Sequence, residues 1–287
     1  MRACRQRKSE RKNERPALIP EEGKDTIPWM EAVVLGTADG LARPGRNHAG
    51  ILLWDKNQSL LLDCGAPVEQ WLVGEAMDVG VPSRIWLSHM HSDHVAHFPI
   101  LVQTLWLRHR KTPLEVSAPA GAVAGLKKLL EHCLLLPEIL PFPIHWTGIV
   151  PGRKDCWGEW ELTAFGTTHL CSGEARFGKY FPTICFCCCG VLVEWPSGSC
   201  VYSADLGCAS DLRPVVSEPV RILFCELAHV EPADLFRELL GRPVEEVWLI
   251  HYPDQWVGQE ENLQKIASEA GFTGKVRLAR EGMRISL

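Results

Sequence analysis

Three histidines and one aspartate occupy six consecutive positions of the chain, in His89-Met90-His91-Ser92-Asp93-His94. Neutral imidazole binds zinc, copper, iron and nickel, and a carboxylate adds charge and a harder donor. In an extended segment alternate side chains share a face, so His89 and His91 can point at one ion. Asp93 and His94 then lie where the chain turns, toward a second ion. This spacing predicts a loop that presents ligands to a pair of metal ions.

The elements on either side of this loop are predicted to hold it in place. Residues 84–88 have the apolar centre Ile85-Trp86-Leu87 and follow Gly80 and Pro82, which is typical of a short buried strand. Apolar residues at helical spacing predict a helix from Val95 to Arg108. A strand, a loop with ligands and a helix form a rigid support for a functional site.

Two ions need more donors than one loop supplies, and three further candidates each follow an apolar run that predicts a strand. These are His169 after Glu159–Phe165, Asp205 after Ser199–Ser203, and His251 at the end of Val247–His251. Strand ends at one lip of a sheet can assemble a site from several loops. Taken singly, the histidines fit as half-buried structural residues and the aspartate as a turn residue. The prediction therefore depends on their combination with the first loop.

Composition bounds the class of protein. The chain has 287 residues, of which 46% are hydrophobic, so it can bury a large core. Strands and helices alternate along it, which favours two packed sheets with helices outside them. We predict a basic, disordered tail over residues 1–28 and a folded domain over residues 29–287. The net charge of −5 argues against nucleic-acid binding through the whole surface and leaves a local basic groove open.

The twelve cysteines do not form the framework of a secreted protein. The first fifteen residues contain no apolar run, and no stretch is long enough to span a membrane, so we expect reduced thiols and a cytoplasmic protein. The cluster from Cys185 to Cys189 has no Cys-x-x-Cys spacing. It favours a buried strand over Thr183–Glu194 with cysteine as a small hydrophobic residue, and a structural zinc or iron–sulfur site is the alternative.

The motifs together resemble the metallo-β-lactamase superfamily of zinc hydrolases, from about Glu31 to the C-terminus. The resemblance implies a four-layer αββα sandwich, an α/β fold, with two Zn²⁺ ions and Mn²⁺ or Fe²⁺ as alternatives. One ion would be held by His89, His91, His169 and Asp205, and the other by Asp93, His94, Asp205 and His251, with Asp205 bridging. The segment Leu62-Asp63-Cys64-Gly65 is similar to the strand-ending Asp-x-Gly whose carboxylate supports the histidines of the metal loop.

Within the superfamily, Pro113–Gly121 and Tyr202-Ser203-Ala204-Asp205 resemble the ribonuclease Z and phosphodiesterase branch. Two features depart from ribonuclease Z. The interval between His169 and Asp205 is too short for a long tRNA-binding arm. Cys225-Glu226-Leu227-Ala228 stands where that enzyme has His-Glu-Ala-Thr, so the histidine that acts as its general acid is missing there. His229, nearby, is a candidate to protonate the leaving oxygen, and an exposed histidine at a helix start fits the sequence equally well.

The resemblance implies a metal-dependent hydrolase, and a phosphodiesterase is the favoured function. Zinc would lower the pKa of a shared water to give the attacking hydroxide, which Asp93 would orient or deprotonate. The alternatives are hydrolysis of a thioester or lactone, tRNA 3′ processing, and a di-iron redox or binding protein. His91 favours zinc over di-iron chemistry, because the di-iron oxygen reductases of this superfamily tend to carry Glu at that position. We expect a small-molecule or nucleotide-like substrate and no membrane partner. The oligomeric state stays open, with a homodimer as one possibility.

Overall fold

The computed structural model of the protein describes residues 30–287, so the predicted basic tail lies outside the described residues. Fourteen strands are present in this part of the chain: β1 (Glu31–Gly36), β2 (Gly50–Trp54), β3 (Ser59–Leu62), β4 (Arg84–Trp86), β5 (Leu114–Pro119), β6 (Ile144–Ile149), β7 (Lys154–Trp157), β8 (Trp160–Thr167), β9 (Cys188–Trp195), β10 (Gly198–Tyr202), β11 (Val220–Glu226), β12 (Val244–Ile250), β13 (Lys275–Leu278) and β14 (Arg284–Ser286). They are accompanied by seven α-helices: α1 (Val68–Gly74), α2 (Ser92–Val95), α3 (Phe98–Leu107), α4 (Val123–His132), α5 (Cys171–Phe177), α6 (Pro232–Glu238) and α7 (Glu260–Glu269).

The strands form two seven-stranded sheets. The first has the order β14-β1-β2-β3-β4-β5-β6, and the second has the order β13-β12-β11-β10-β9-β8-β7. Side chains alternate along β1: Val34 belongs to the cluster between the two sheets, whereas Val33 belongs to the cluster between the first sheet and its helices. A third cluster lies between the second sheet and α6 and α7. The predicted four-layer αββα sandwich is therefore confirmed.

Strand direction brings the predicted site residues to one edge. Both β8 and β10 run antiparallel to β9, so they are parallel to each other, and β11 and β12 are parallel to β10. The carboxyl ends of these four strands therefore lie at the same edge of the second sheet. In the first sheet β4 ends directly before the histidine-rich loop. The loops that follow these strand ends can meet across the edges of the two sheets.

Two predicted elements are corrected. The helix predicted from Val95 to Arg108 is two helices, α2 and α3, because α3 starts anew with Pro99 in its first turn, where a missing N–H costs nothing. The strand predicted over Thr183–Glu194 begins only at Cys188, since residues 182–184 turn and Ile184 is exposed. Strands β6 and β7 and helix α5 were not predicted. None of the described helices is both long enough and apolar enough to cross a bilayer.

Candidate metal centre

The histidine-rich loop leaves the end of β4 and enters α2. His91 precedes α2 with extended backbone, and helix α2 starts at Ser92. His89 and His94 are fully buried, and Asp93 is partly buried. The backbone is extended at His91 and helical from Ser92 onward, so the side chains of His89 and His91 point in a different direction from those of Asp93 and His94. This separates the first two histidines from the following Asp93–His94 pair, as the spacing predicts.

A first group of ligand atoms forms where this loop meets the ends of β8 and β10. It contains one atom each from His89, His91, His169 and Asp205, all within 4.8 Å of one another. The Nε2 atoms of His89 and His169 lie 3.7 Å and 3.5 Å from Asp205 Oδ2. The Nε2 atom of His169 also lies 3.2 Å from His91 Nδ1. Three imidazoles and a carboxylate form a donor set that suits zinc.

A second group lies on the other side of Asp205. It contains Asp93, His94 and His251, again with ligand atoms within 4.8 Å. The Nε2 atoms of His94 and His251 lie 3.3 Å and 3.5 Å from Asp205 Oδ1, and 3.6 Å and 3.7 Å from Asp93 Oδ2. Asp205 therefore turns one oxygen to each group. This is the arrangement a bridging carboxylate requires.

Asp63 supports the histidine-rich loop through hydrogen bonds to Ser88 and His94. Its buried carboxylate accepts hydrogen bonds from the Ser88 amide (2.7 Å), the Ser88 hydroxyl (2.7 Å), the Tyr202 hydroxyl (2.6 Å) and His94 Nδ1 (2.7 Å). Because the carboxylate accepts, His94 carries its proton on Nδ1 and leaves the lone pair on Nε2. The Ser88 hydroxyl, which donates to Asp63, accepts from His89 Nδ1 at 3.0 Å. Both imidazoles are thereby fixed with Nε2 turned to Asp205.

Several polar atoms at this centre are buried and lack a partner. Within residues 30–287, the atoms of these ligands without a hydrogen-bond partner are His89 Nε2, His94 Nε2, Asp205 Oδ1 and His251 Nδ1. A buried polar group without a partner costs free energy, so each needs an explanation. The first three are atoms that the two groups direct inward, and an imidazole lone pair or carboxylate oxygen is satisfied by a cation. The residues present therefore fit a metal centre.

The electrostatics of the groups agree with this fit. Burial lowers the pKa of His89, and burial lowers the pKa of His169 to about 4, so both rings are neutral, as ligands must be. Burial opposes a charge on His94, but the carboxylates of Asp205 and Asp63 outweigh it and raise the pKa of that ring. Burial also opposes the charged form of Asp205, and the rings of His94 and His251 outweigh it and lower its pKa. The carboxylates thus favour positive charge between them.

His229 lies beside the first group. Its Nδ1 atom is 3.4 Å from Glu226 Oε1 and 3.8 Å from Asp205 Oδ2. Glu226 is buried at the end of β11, and its carboxylate also accepts the backbone N–H groups of Leu206 and His229 at 3.0 Å and 2.9 Å. The hydrogen bond to Glu226 raises the pKa of His229. The structure thus brings the predicted His229 to the site and places the Glu226 carboxylate against its Nδ1 atom.

Other supporting residues were not predicted. Arg46 donates to the carbonyl oxygens of Thr37 (2.7 Å) and Tyr252 (2.9 Å), and its guanidinium lies 4.1 Å from the centre of the Tyr252 ring. It thereby fixes the residue that follows His251. His251 itself has a φ of +44°, in the left-handed region that non-glycine residues rarely adopt. The one sequence signal for this support is that Arg46 lies in the polar loop between two predicted strands.

The segment from Leu170 to Cys187 connects the end of β8 to the start of β9. Cys188 pairs with Thr167, so the segment starts and ends at the edge of the sheet where His169 lies. It contains helix α5, and none of its side chains is buried. Large apolar residues of the segment are exposed: Phe177, Tyr180, Phe181 and Ile184. Arg176 and Lys179 carry positive charges and Glu174 carries a negative one, so the segment is positive overall. An exposed apolar segment with a net positive charge therefore starts and ends at the edge that carries His169.

The fold is that of solved proteins with the metallo-β-lactamase fold. The metallo-β-lactamase fold protein YhfI from Bacillus subtilis superposes with a TM-score of 0.72 at 22% identity, over 91% of this chain and 100% of that one. Unliganded yeast PDE1 superposes with a TM-score of 0.67 at 11% identity, over 91% and 100% of the two chains. These superpositions, at low sequence identity, establish the common fold.

Sequence comparison gives the family. Residues 30–277 match the family described as Anti-Pycsar protein Apyc1, and the chain belongs to this family. The chain is also 29% identical to the ribonuclease Z of Natronomonas pharaonis over 142 residues, which are 49% of this chain and 44% of that protein. The chain spans about half the length of the curated relatives it matches. The predicted likeness to the ribonuclease Z and phosphodiesterase branch is confirmed.

Proposed function

We propose that the protein is a dinuclear metal-dependent hydrolase that cleaves a small, nucleotide-like phosphodiester. One observation carries the proposal: Asp205 turns its two oxygens to two separate groups of ligand atoms. A structural metal site closes around a single ion, whereas paired ions act as a clamp on the attacking and leaving oxygens of a displacement. The relatives named as ribonuclease Z support the same class of reaction.

The two ions would be held by the ligand sets that the resemblance implies. His89, His91, His169 and Asp205 would hold one, and Asp93, His94, His251 and Asp205 the other. Zinc is the metal that the nitrogen-rich sets favour, with Mn²⁺ or Fe²⁺ as alternatives. When bound, such a pair lowers the pKa of a shared water and offsets the charge on phosphate oxygens.

The chain's own residues supply the proton transfers. Asp93 is the partly exposed carboxylate of the centre and would orient the attacking water or take its proton. His229 turns Nδ1 to Glu226 and is free to hold a proton on Nε2 for the leaving oxygen. Glu226 accepts from Nδ1 and raises the pKa of the ring, which favours the charged form that carries a proton on both nitrogens. Asp93 and His229 thus take the roles of base and acid.

A small diester is favoured over tRNA by the interval between His169 and Asp205. That interval is occupied by α5, β9 and β10, and no long arm projects from these described residues. The segment that does border the centre carries Arg176 and Lys179 beside exposed Phe177 and Tyr180. Cations attract a phosphate, and aromatic rings can stack on a base. A thioester or lactone has neither an anionic phosphate nor a flat base.

The test compares substrates and metals on the same preparation. We expect bis-p-nitrophenyl phosphate to be hydrolysed when zinc or manganese is supplied, and a chromogenic thioester to be hydrolysed far more slowly. Turnover of the thioester alone would contradict the proposal. Metal analysis should find about two equivalents per chain, and His91→Ala should lose one of them because a four-coordinate site loses a donor. His145→Ala, an exposed histidine paired with Glu115 on the surface, is the matched control.

A further inference from the structure

The cysteine cluster contains a thiol pair that the metal centre does not use. Cys187 lies one residue before β9, and Cys189 is the second residue of that strand. The two side chains lie on the same face of the extended chain, and their sulfur atoms are 3.5 Å apart. Cys185 has its sulfur against Gly121. Two thiols are therefore in contact, and the Cys185 thiol interacts electrostatically with both of them.

The two thiols differ in environment. Cys189 is fully buried in the cluster between the sheets, whereas Cys187 is half-buried at its rim. The hydrogen bond from the Cys189 thiol lowers the pKa of Cys187 to about 7, and the same bond raises the pKa of Cys189. An accessible thiol with thiolate character, next to a second thiol that can resolve it, is the arrangement of a reversible oxidation site.

We propose that Cys187 and Cys189 form an oxidation site for hydrogen peroxide, at which Cys187 reacts first and Cys189 resolves it to an intramolecular disulfide. The Cys187 thiolate attacks a peroxide oxygen; the O–O bond breaks, a sulfenic acid forms, and the leaving hydroxide takes a proton to become water. The Cys189 sulfur then attacks Cys187 Sγ, the S–S bond forms, the S–O bond breaks, and a second water leaves. Two thiols are oxidised and one peroxide is reduced to two waters.

The backbone allows this closure with strain. Residues two apart in an extended chain have Cα atoms about 6.6 Å apart. Disulfides span Cα distances of about 4.4–6.8 Å, so the bond forms near the upper limit. Sheet pairing begins at Cys188, which pairs with Thr167, so Cys187 can move without breaking the ladder. A strained disulfide is easily reduced, which makes the modification reversible.

Closure also reaches the metal loop. The backbone N–H of Cys189 donates to the carbonyl oxygen of Ser88 at 3.0 Å, next to His89, and the Cys188 thiol donates to the carbonyl oxygen of Asp205 at 3.4 Å. A shift at the start of β9 therefore disturbs the backbone at two places, Ser88 beside His89 and Asp205. We expect the oxidised protein to hold metal more weakly than the reduced protein.

The experiment detects the bond itself and needs no activity. Reduced full-length protein is treated with hydrogen peroxide in chelator-treated buffer, its free thiols are alkylated, and it is cleaved with chymotrypsin, which cuts after Phe186 and Trp195. We expect the Cys187–Trp195 peptide to lose two hydrogens and to retain a single alkylated cysteine, and dithiothreitol to restore three alkylated cysteines. Sulfinic acid at Cys187 without any bridge would overturn the proposal.

Variants identify the bonded pair. Cys187→Ser and Cys189→Ser should each abolish the loss of two hydrogens, and Cys188→Ser should retain it. Cys133→Ser, an exposed cysteine after α4, is the control for general peroxide damage and should behave as the parent. A bridge that persists in Cys187→Ser, or that disappears in Cys188→Ser with a folded protein by circular dichroism, would show that another pair reacts.

Discussion

The two sheets contribute to the metal centre in opposite ways. The first sheet supplies four of the seven predicted ligands from one loop of six residues after β4. The second sheet supplies the other three from three separate strand ends, at His169, Asp205 and His251. A local motif depends on one turn and its immediate support. A dispersed set depends on the register of whole strands and on long-range contacts that hold each end.

The supports differ in the same way. One buried carboxylate, Asp63, accepts four hydrogen bonds and fixes the whole first loop. On the second sheet, Glu226 fixes the backbone after Asp205, Arg46 fixes the residue after His251, and left-handed backbone turns the chain at Ala204 and His251. Because one residue supports the first loop and several support the second sheet, we expect a single substitution to weaken metal binding more at Asp63 than at any one support of the second sheet.

The largest effect is expected for Asp63→Asn. The Oδ2 atom accepts from Ser88, Tyr202 and His94, and an amide nitrogen there would face three donors, while an amide oxygen there would leave its nitrogen facing the Ser88 amide. Loss of such a partner behind metal ligands lowers metal affinity about 10- to 100-fold. Chelator competition with zinc measures this effect directly. We also expect a loss of about 1–3 kcal/mol in the free energy of unfolding.

The control for Asp63→Asn is Asp234→Asn, which removes the same charge from an exposed residue paired with Arg237 on the surface of α6. Surface pairs contribute about 0–1 kcal/mol, so its metal affinity should equal that of the parent. Equal zinc affinity in Asp63→Asn and Asp234→Asn would show that the first loop holds its ligands without Asp63.

A smaller effect is expected for Arg46→Ala. This change removes two hydrogen bonds to backbone carbonyls, the contact with the Tyr252 ring and the ion pair with Asp254. The amide of Tyr252 still donates to the Thr37 carbonyl at 3.0 Å. We expect about 1 kcal/mol less support for the His251 turn, and so a roughly three- to tenfold weaker affinity for one of two zinc equivalents. Stepwise zinc titration with a fluorescent chelator resolves the two equivalents.

Arg213→Ala serves as the control, because that exposed arginine pairs with Glu238 on the surface. If Arg46→Ala weakens zinc binding as much as Asp63→Asn, the second sheet is not supported by several independent contacts. In that case the contrast between the two sheets would be lost.

The contrast also explains what could be predicted from the sequence. The histidine-rich loop is local, so its residue types and spacing carry the prediction by themselves. The strand ends at His169, Asp205 and His251 were predicted because an apolar run precedes each one. The αββα sandwich was predicted from the resemblance and from mixed strands and helices. The structure brings all seven predicted ligands together, and their binding of metal stays a prediction.

The remaining parts depend on contacts that the sequence does not display. The hydrogen bond from Arg46 to the Tyr252 carbonyl joins residues 206 positions apart. Glu226 lies in an apolar strand and is buried. Only the folded chain shows that its carboxylate lies 3.4 Å from His229 Nδ1. Helix α5 buries no side chain, so it lacks the apolar periodicity by which a helix is predicted.

The smallest effect is expected for Ala204→Gly, which tests whether the left-handed turn before Asp205 needs a particular side chain. Ala204 has a φ of +52°, which costs about 1–2 kcal/mol in a non-glycine residue. Glycine removes that strain, but it costs about 0.5–1 kcal/mol of chain entropy and removes a buried methyl group worth about 0.8 kcal/mol. These terms nearly cancel, so the free energy of unfolding in urea should change by less than about 1 kcal/mol, with unchanged zinc affinity.

Ala76→Gly separates backbone strain from packing. Ala76 has the same φ of +52° but is exposed, so glycine there removes the strain without loss of a buried methyl group. We expect this variant to be more stable than the parent by about 0.5–1 kcal/mol. A loss of more than about 2 kcal/mol in Ala204→Gly, beside this gain in Ala76→Gly, would show that the methyl group of Ala204 holds the second sheet's bridging ligand by packing. The turn before Asp205 would then depend on a side chain, as the first loop depends on Asp63.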